Sequence, residues 1–148
     1  MEMLDAVIRI NEKQHLKVIG LLEKHFPSLS GVRVAVLGLS FRPDTDDMRE
    51  SPSIPIVREL ISQGANVLAY DPVACNEARK VLGERDIQYC ESTLDAVKEA
   101  QAVVLVTRWD EFRSLPELLG RMRRPPLLID GRRLIERGAV ANYEGIGL

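Results

Sequence analysis

Five short apolar runs rich in β-branched residues alternate along the chain with stretches of helical spacing, and this alternation constrains the fold more than any other feature. The runs are residues 32–37 (VRVAVL), 66–70 (NVLAY), 87–90 (IQYC), 102–107 (AVVLVT) and 127–130 (LLID). Nearly continuous apolar runs of this kind belong to strands buried on both faces of a parallel sheet. Between them the pattern predicts four helices. The first opens at Ser51-Pro52-Ser53, with Ser at the cap and Pro in the first turn, buries Ile54, Val57, Leu60 and Ile61, and closes at Gly64. The second spans 74–82, the third is capped by Ser92 with Asp95 at its N3 position, and the fourth covers 112–122. Right-handed crossovers then give an α/β fold, a mostly parallel sheet of about five or six strands with helices on both faces. The tail has room for a turn of helix and a final edge segment. Ahead of the first strand, Leu4, Val7, Ile10, Val18, Leu21 and Leu22 predict a helix over residues 3–26 that ends near Pro27.

At 148 residues, 45% hydrophobic and 28% charged, the chain can bury one sizeable core, which excludes a disordered tail, a fibrous repeat or a disulfide-stapled mini-protein. A net charge of -2 gives no basic field for nucleic acid or an anionic membrane, so neither is expected as a partner. No apolar run approaches the roughly 18 residues of a membrane span, and the N-terminus lacks a signal-peptide core. A cytoplasmic location is expected. Cys75 and Cys90, outside any C-x-x-C pattern, read as buried reduced thiols. The cations are mostly arginine, with only five lysines among twenty, which favours bidentate phosphate recognition.

In open α/β sheets ligands bind outside the carboxyl ends of the strands, where strand order reverses. That rule selects three loops: Gly38 through Ser51, Thr107-Arg108-Trp109-Asp110, and Asp130-Gly131-Arg132-Arg133. All carry arginine, and the first runs into a helix N-terminus, so a phosphate-bearing ligand is expected. G-x-G-x-x-G is absent and Gly38 stands alone, which argues against a backbone-cradled pyrophosphate. Asp71, in Asp-Pro, reads as a strand stop rather than a ribose ligand. The acids of Asp44-Thr45-Asp46-Asp47 read as a self-paired loop beside Arg42 and Arg49, and His15 and His25 as exposed helical residues rather than metal ligands. Arg121, Arg123 and Arg124 suit a solvated face, and Trp109 with Phe112 suits helix-to-sheet packing. A phosphoacceptor receiver domain is excluded, because Cys90-Glu91 and Asp130-Gly131 stand where it needs Asp and Lys.

Residues 38–53, GLSFRPDTDDMRESPS, resemble the signature that opens the C-terminal domain of the UDP-glucose/GDP-mannose dehydrogenase family, G-L-x-F-K-x-x-T-D-D-x-R-x-S-P. AYDPVA (69–74), VVLVTRWDEF (103–112), LLIDGRRL (127–134) and YEGIG (143–147) are similar to further family stretches in the expected order. The resemblance covers the chain from Val32 onward. Residues 3–26 resemble the end of the family's long central helix, and AYDPVA with TRWDEF lean toward the UDP-glucose branch.

The resemblance implies a Rossmann-like three-layer sandwich, with residues 1–28 as the end of the dimer-forming helix and 29–148 as the nucleotide-sugar-binding domain. It implies oxidation of a UDP-sugar at C6 by two NAD-dependent hydride transfers through a cysteine, as a step toward polysaccharides. Arg42, standing where the family has a lysine, would meet the UDP moiety, with Phe41 lining the same pocket. Arg132 of D-G-R would contact the uridine, and Arg49 would reach toward NAD. The NAD domain, the catalytic lysine and asparagine, and the cysteine segment would all precede residue 1, and neither Cys75 nor Cys90 inherits the nucleophile role. The implied partners are a UDP-sugar, an N-terminal catalytic domain and a second copy of the chain, and this chain alone is expected to be inactive. The alternative is a separate nucleotide-sugar-binding or assembly module.

Overall fold

The computed structural model describes residues 16–40, 48, 51–132 and 134–145. Its centre is a six-stranded sheet of β1 (Arg33–Leu37), β2 (Asn66–Tyr70), β3 (Ile87–Tyr89), β4 (Ala102–Leu105), β5 (Leu127–Asp130) and β6 (Tyr143–Gly145). The strand order is β3-β2-β1-β4-β5-β6, and every pairing is parallel. Strand order therefore reverses between β1 and β4, where Val34 through Leu37 pair with Ala102 through Leu105. The helices are α1 (residues 16–25), α2 (Ser53–Ser62), α3 (Cys75–Leu82), α4 (Thr93–Val97) and α5 (Leu115–Gly120), with 3-10 turns at Asp110–Ser114 and Arg137–Ala139.

Alternate strand residues enter two separate cores. Val34, Val36, Val67, Ala69, Val104 and Ile129 face α1, α2 and α3, whereas Ala35, Leu37, Val103, Leu105 and Leu128 face α4, α5 and residues 134–140. Right-handed crossovers put α2 and α3 over the β1–β3 half of the first face and send the later helices to the second. The β4–β6 half of the first face is therefore left to α1. Val18, Ile19 and Leu22 of α1 are buried in that core, and Lys24 and His25 at its end both meet Oε1 of Glu144 in β6 at 3.1 Å. Burying those three side chains contributes roughly 5 to 9 kcal/mol, comparable to the whole net stability of a domain. The part of the N-terminal apolar stripe that is described is thus covered by its own chain. Leu4, Val7 and Ile10, and His15, lie outside the described residues.

Local departures from expectation have identifiable causes. In α2 the buried positions are Ser53, Ile56, Val57 and Leu60, with Ile54 and Ile61 at the margin. Ser51 lies one residue ahead of the assigned N-cap, Pro52, yet its hydroxyl accepts the Ser53 N–H at 3.2 Å, as expected of a cap, while also donating to the β1 turn described below. At the other end Gly64, with φ of +85°, closes a Schellman motif through Gly64 N–H to Ile61 O and Ala65 N–H to Leu60 O, both 3.0 Å. Residues 112–122 do not form one helix. Pro116 has no N–H to give the Phe112 carbonyl, and the Leu115 N–H takes that carbonyl instead, so a 3-10 turn precedes α5. Ser92 caps α4 as expected, accepting the Asp95 N–H at 3.1 Å. Cys90 is buried but Cys75 is only half-buried, and both thiols are free.

Candidate functional site

At the carboxyl end of β1 the chain turns at Gly38, whose φ is +92°. A Cβ there would sit 2.5 Å from Thr107 Cβ and 2.6 Å from the Thr107 backbone nitrogen, so only glycine lets the β1 and β4 loops touch. Every described N–H of the turn is then taken, and so are the carbonyls of Leu39 and Ser40. The Gly38 N–H donates to Tyr70 O at 2.8 Å, and the Leu39 and Ser40 N–H groups donate to Asp71 Oδ2 at 2.8 and 3.1 Å. The Leu39 carbonyl accepts the Ser51 and Ser53 hydroxyls, each at 2.7 Å, and the Ser40 carbonyl accepts the Thr107 hydroxyl at 2.9 Å. Asp71 is 3% exposed and also accepts the Val73 and Ala74 N–H groups at 2.9 Å and Trp109 Nε1–H at 3.3 Å. Its reading as a structural residue stands, because its carboxylate ties together the ends of β1, β2 and β4. Phe112 is fully buried, edge-on to Tyr70 with centroids 6.2 Å apart, and Trp109 packs beside the same core.

Among the described residues, the start of α2 offers an anion no free backbone N–H. The Ser53 N–H is held by Ser51 Oγ and the Ile54 N–H by Ser51 O, each at 3.2 Å, while Pro52 and Pro55 have no N–H. Among the described residues of the β1 turn, Gly38, Leu39 and Ser40 likewise have no N–H left for the pyrophosphate of a dinucleotide, and Asp71 has no free edge for a ribose. These residues do not fit NAD. Among the described residues no group of three or more His, Cys, Asp or Glu could hold a metal ion.

The ends of β4 and β5 are different. Asp130, fully buried, accepts the Arg132 N–H at 3.0 Å on Oδ1, and the Ile135 N–H at 2.8 Å and the Tyr143 hydroxyl at 3.0 Å on Oδ2. This fixes the turn after β5 and leads Arg132 back over β4, where its Nε donates to Val106 O at 2.6 Å. Burial, and secondly the charge of Arg108, lower the Arg132 pKa from its ordinary value. Arg108 is exposed, and neither arginine forms an ion pair with a described carboxylate. Two cations thus stand at the switch point without an acid among the described residues. Arg132 was selected from sequence; Arg108 was passed over, although its loop was already singled out by strand order. Phe41, Arg42 and Arg49, with the acids of 44–47, lie outside the described residues. Met48 between them is buried in the first core, and its carbonyl accepts the Ser51 N–H at 3.2 Å. Arg121, Arg123 and Arg124 are exposed, as a solvated face requires.

A parallel sheet in this strand order, with two arginines at its switch point, defines a doubly wound domain of the Rossmann-like nucleotide-binding class. Residues 35–137 match the UDP binding domain of the UDP-glucose/GDP-mannose dehydrogenase family, and the chain belongs to that family. It is 40% identical over 144 residues to the UDP-glucose 6-dehydrogenase AglM of Haloferax volcanii, covering 97% of this chain and 33% of the relative. It is 37% identical to the UDP-glucose 6-dehydrogenase YwqF of Bacillus subtilis, covering 88% of this chain and 30% of that protein. The solved UDP-glucose dehydrogenase of Pyrobaculum islandicum superposes with a TM-score of 0.79 at 35% identity, over 95% of this chain and 31% of that one. The chain therefore spans about a third of the length of these relatives.

Proposed function

We propose that this chain is the UDP-binding portion of an NAD-dependent UDP-glucose 6-dehydrogenase, which converts UDP-glucose to UDP-glucuronate in the cytoplasm and serves polysaccharide biosynthesis. The observation that carries this reading is Arg132. It belongs to the D-G-R stretch inside the matched UDP binding domain, it is anchored at the switch point by Val106 O, and no described carboxylate neutralises it. Arg132 binds the uridine, while Phe41 and Arg42 bind toward the phosphates. Arg49 reaches toward NAD, which is held mainly by an N-terminal domain. The occupied β1 turn supports that division, since it leaves no cradle for a dinucleotide here. The enzyme is a homodimer assembled through the central helix. No described helix is long and apolar enough to cross a membrane, in keeping with the proposed location.

Parallel calorimetric titrations with UDP, UDP-glucose, GDP-mannose and NAD test the reading. UDP and UDP-glucose are expected to bind, with GDP-mannose weaker and NAD not measurable; equal failure of all four sinks it. The chain alone is expected to make no NADH from UDP-glucose, since hydride transfer needs a nicotinamide pocket and a positioned nucleophile. Measurable NADH production would contradict that division of labour.

A further inference from the structure

We infer that Arg108 is the second anion-binding guanidinium of the crevice, neutralising the diphosphate of the nucleotide whose uridine Arg132 contacts. This rests on the UDP-binding reading above. Arg108 follows β4 between two fixed neighbours. Thr107 is locked by its hydroxyl on Ser40 O at 2.9 Å and by its contact with Gly38, and Trp109 is locked by Nε1–H on Asp71 and by its N–H on Thr107 O at 3.0 Å. The backbone of residue 108 is therefore held at the switch point while its side chain is exposed.

The acids nearest in sequence are engaged elsewhere. Asp110 faces Arg113 at 3.5 Å, Glu111 accepts the Thr93 hydroxyl at 3.2 Å, and the Asp71 and Asp130 carboxylates are occupied by the loop donors already described. Arg108 and Arg132, rising from adjacent strand ends, thus repel one another with no described acid between them, and burial weakens the screening around Arg132. A bound dianion converts that repulsion into two attractions. An isolated surface arginine has no such reason to be placed beside a half-buried one.

The test is calorimetric titration of the 148-residue chain and its Arg108→Ala, Arg108→Lys and Arg132→Ala variants with UDP, UMP, uridine and inorganic pyrophosphate. Arg108→Ala is expected to weaken UDP on the order of tenfold, UMP about threefold and uridine not at all, with Arg108→Lys recovering most of the loss and added salt shrinking it. Arg132→Ala is expected to weaken all three uridine compounds. If wild type binds UDP and Arg132→Ala weakens it while Arg108→Ala does not, the role of Arg108 is overturned and the nucleotide reading stands. An equal loss of uridine and UDP in Arg108→Ala also overturns it, since the contact is then not with phosphate. Wild type that ignores UDP yet binds pyrophosphate through Arg108 supports the anion pair and overturns the nucleotide reading. Wild type that binds neither overturns both.

Discussion

Two neighbouring regions at the carboxyl edge of the sheet treat their polar groups in opposite ways. At the ends of β1 and β2, the N–H groups of Gly38, Leu39 and Ser40 meet Tyr70 O and Asp71, and the Leu39 carbonyl meets two serine hydroxyls. At the ends of β4 and β5, the Arg132 guanidinium donates to Val106 O, and neither it nor the Arg108 guanidinium has a described acid. A saturated region holds the crevice's shape; an unsaturated one is where a ligand gains something by binding. The difference teaches that the position of a Rossmann-like phosphate turn does not by itself make an anion site; the donors that stay unpaired are what a ligand could use.

The comparison breaks most directly at Gly38. Gly38→Ala is expected to cost about 4 kcal/mol, combining left-handed backbone strain with a clash against Thr107, and to lower Tm by roughly 10 °C or more. Thermal unfolding checks it, and a shift under 3 °C would show that the β1 and β4 loops can move apart. Asp71→Ala comes next, at about 3 kcal/mol, because it leaves buried N–H groups of Leu39, Ser40 and Ala74 without an acceptor. UDP affinity in these variants should fall only as far as the folded fraction falls.

On the other side of the comparison, Arg132→Ala and Arg42→Ala should weaken UDP about tenfold to a hundredfold, the loss of a charge-assisted hydrogen bond, while Tm moves little. Calorimetry beside a melting curve separates the two classes. Arg49→Ala should leave UDP binding by this chain unchanged and raise the KM for NAD in a reconstituted full-length enzyme. Arg124→Ala, on the solvated face, should alter neither quantity, and a matching loss there would dissolve the distinction between crevice and surface.

The smallest effect is expected at Glu144. The His25 hydrogen bond, and then that of Lys24, hold its carboxyl below the usual glutamate range. A group whose folded pKa is depressed contributes stability above the unfolded value and loses it as pH falls through the depressed one. Glu144→Gln should therefore cost well under about 1 kcal/mol near neutrality, given exposed partners, and nothing once pH lies below that window. Denaturant unfolding at two pH values is the measurement.

Strand positions and the switch point were legible because burial on both faces writes a continuous apolar run, and β2 and β5 fall where that run predicts them. The single break at residues 110–120 was less so, since Pro116 sits at a position a helix also tolerates in its first turn. The role of Asp71 was legible only in outline: Asp-Pro marks a strand end, but the donors that reach its carboxylate come from residues 31, 32 and 38 positions away. Arg132 could be chosen because it follows a strand end through a glycine. Arg108 offered no such mark, and it draws notice only when the described acids nearest it in sequence are seen to be paired with other groups. At the start of α2 the capping role of Ser51 was legible, since its hydroxyl accepts the Ser53 N–H, but the further bond of that hydroxyl to the carbonyl of Leu39, 12 positions away, leaves no local mark.

The packing of α1 bears on modularity. A graft or shuffled gene segment that began at residue 29 would carry all six strands and every crossover, yet it would arrive with the β4–β6 half of one sheet face bare. The smallest portable unit therefore starts at or before residue 16. Because Val18 packs beside Ile56, Val104 and Val106, α1 forms part of the floor beneath the ends of β4 and β5, so removing it would take away support from below the candidate site as well as cover from the sheet.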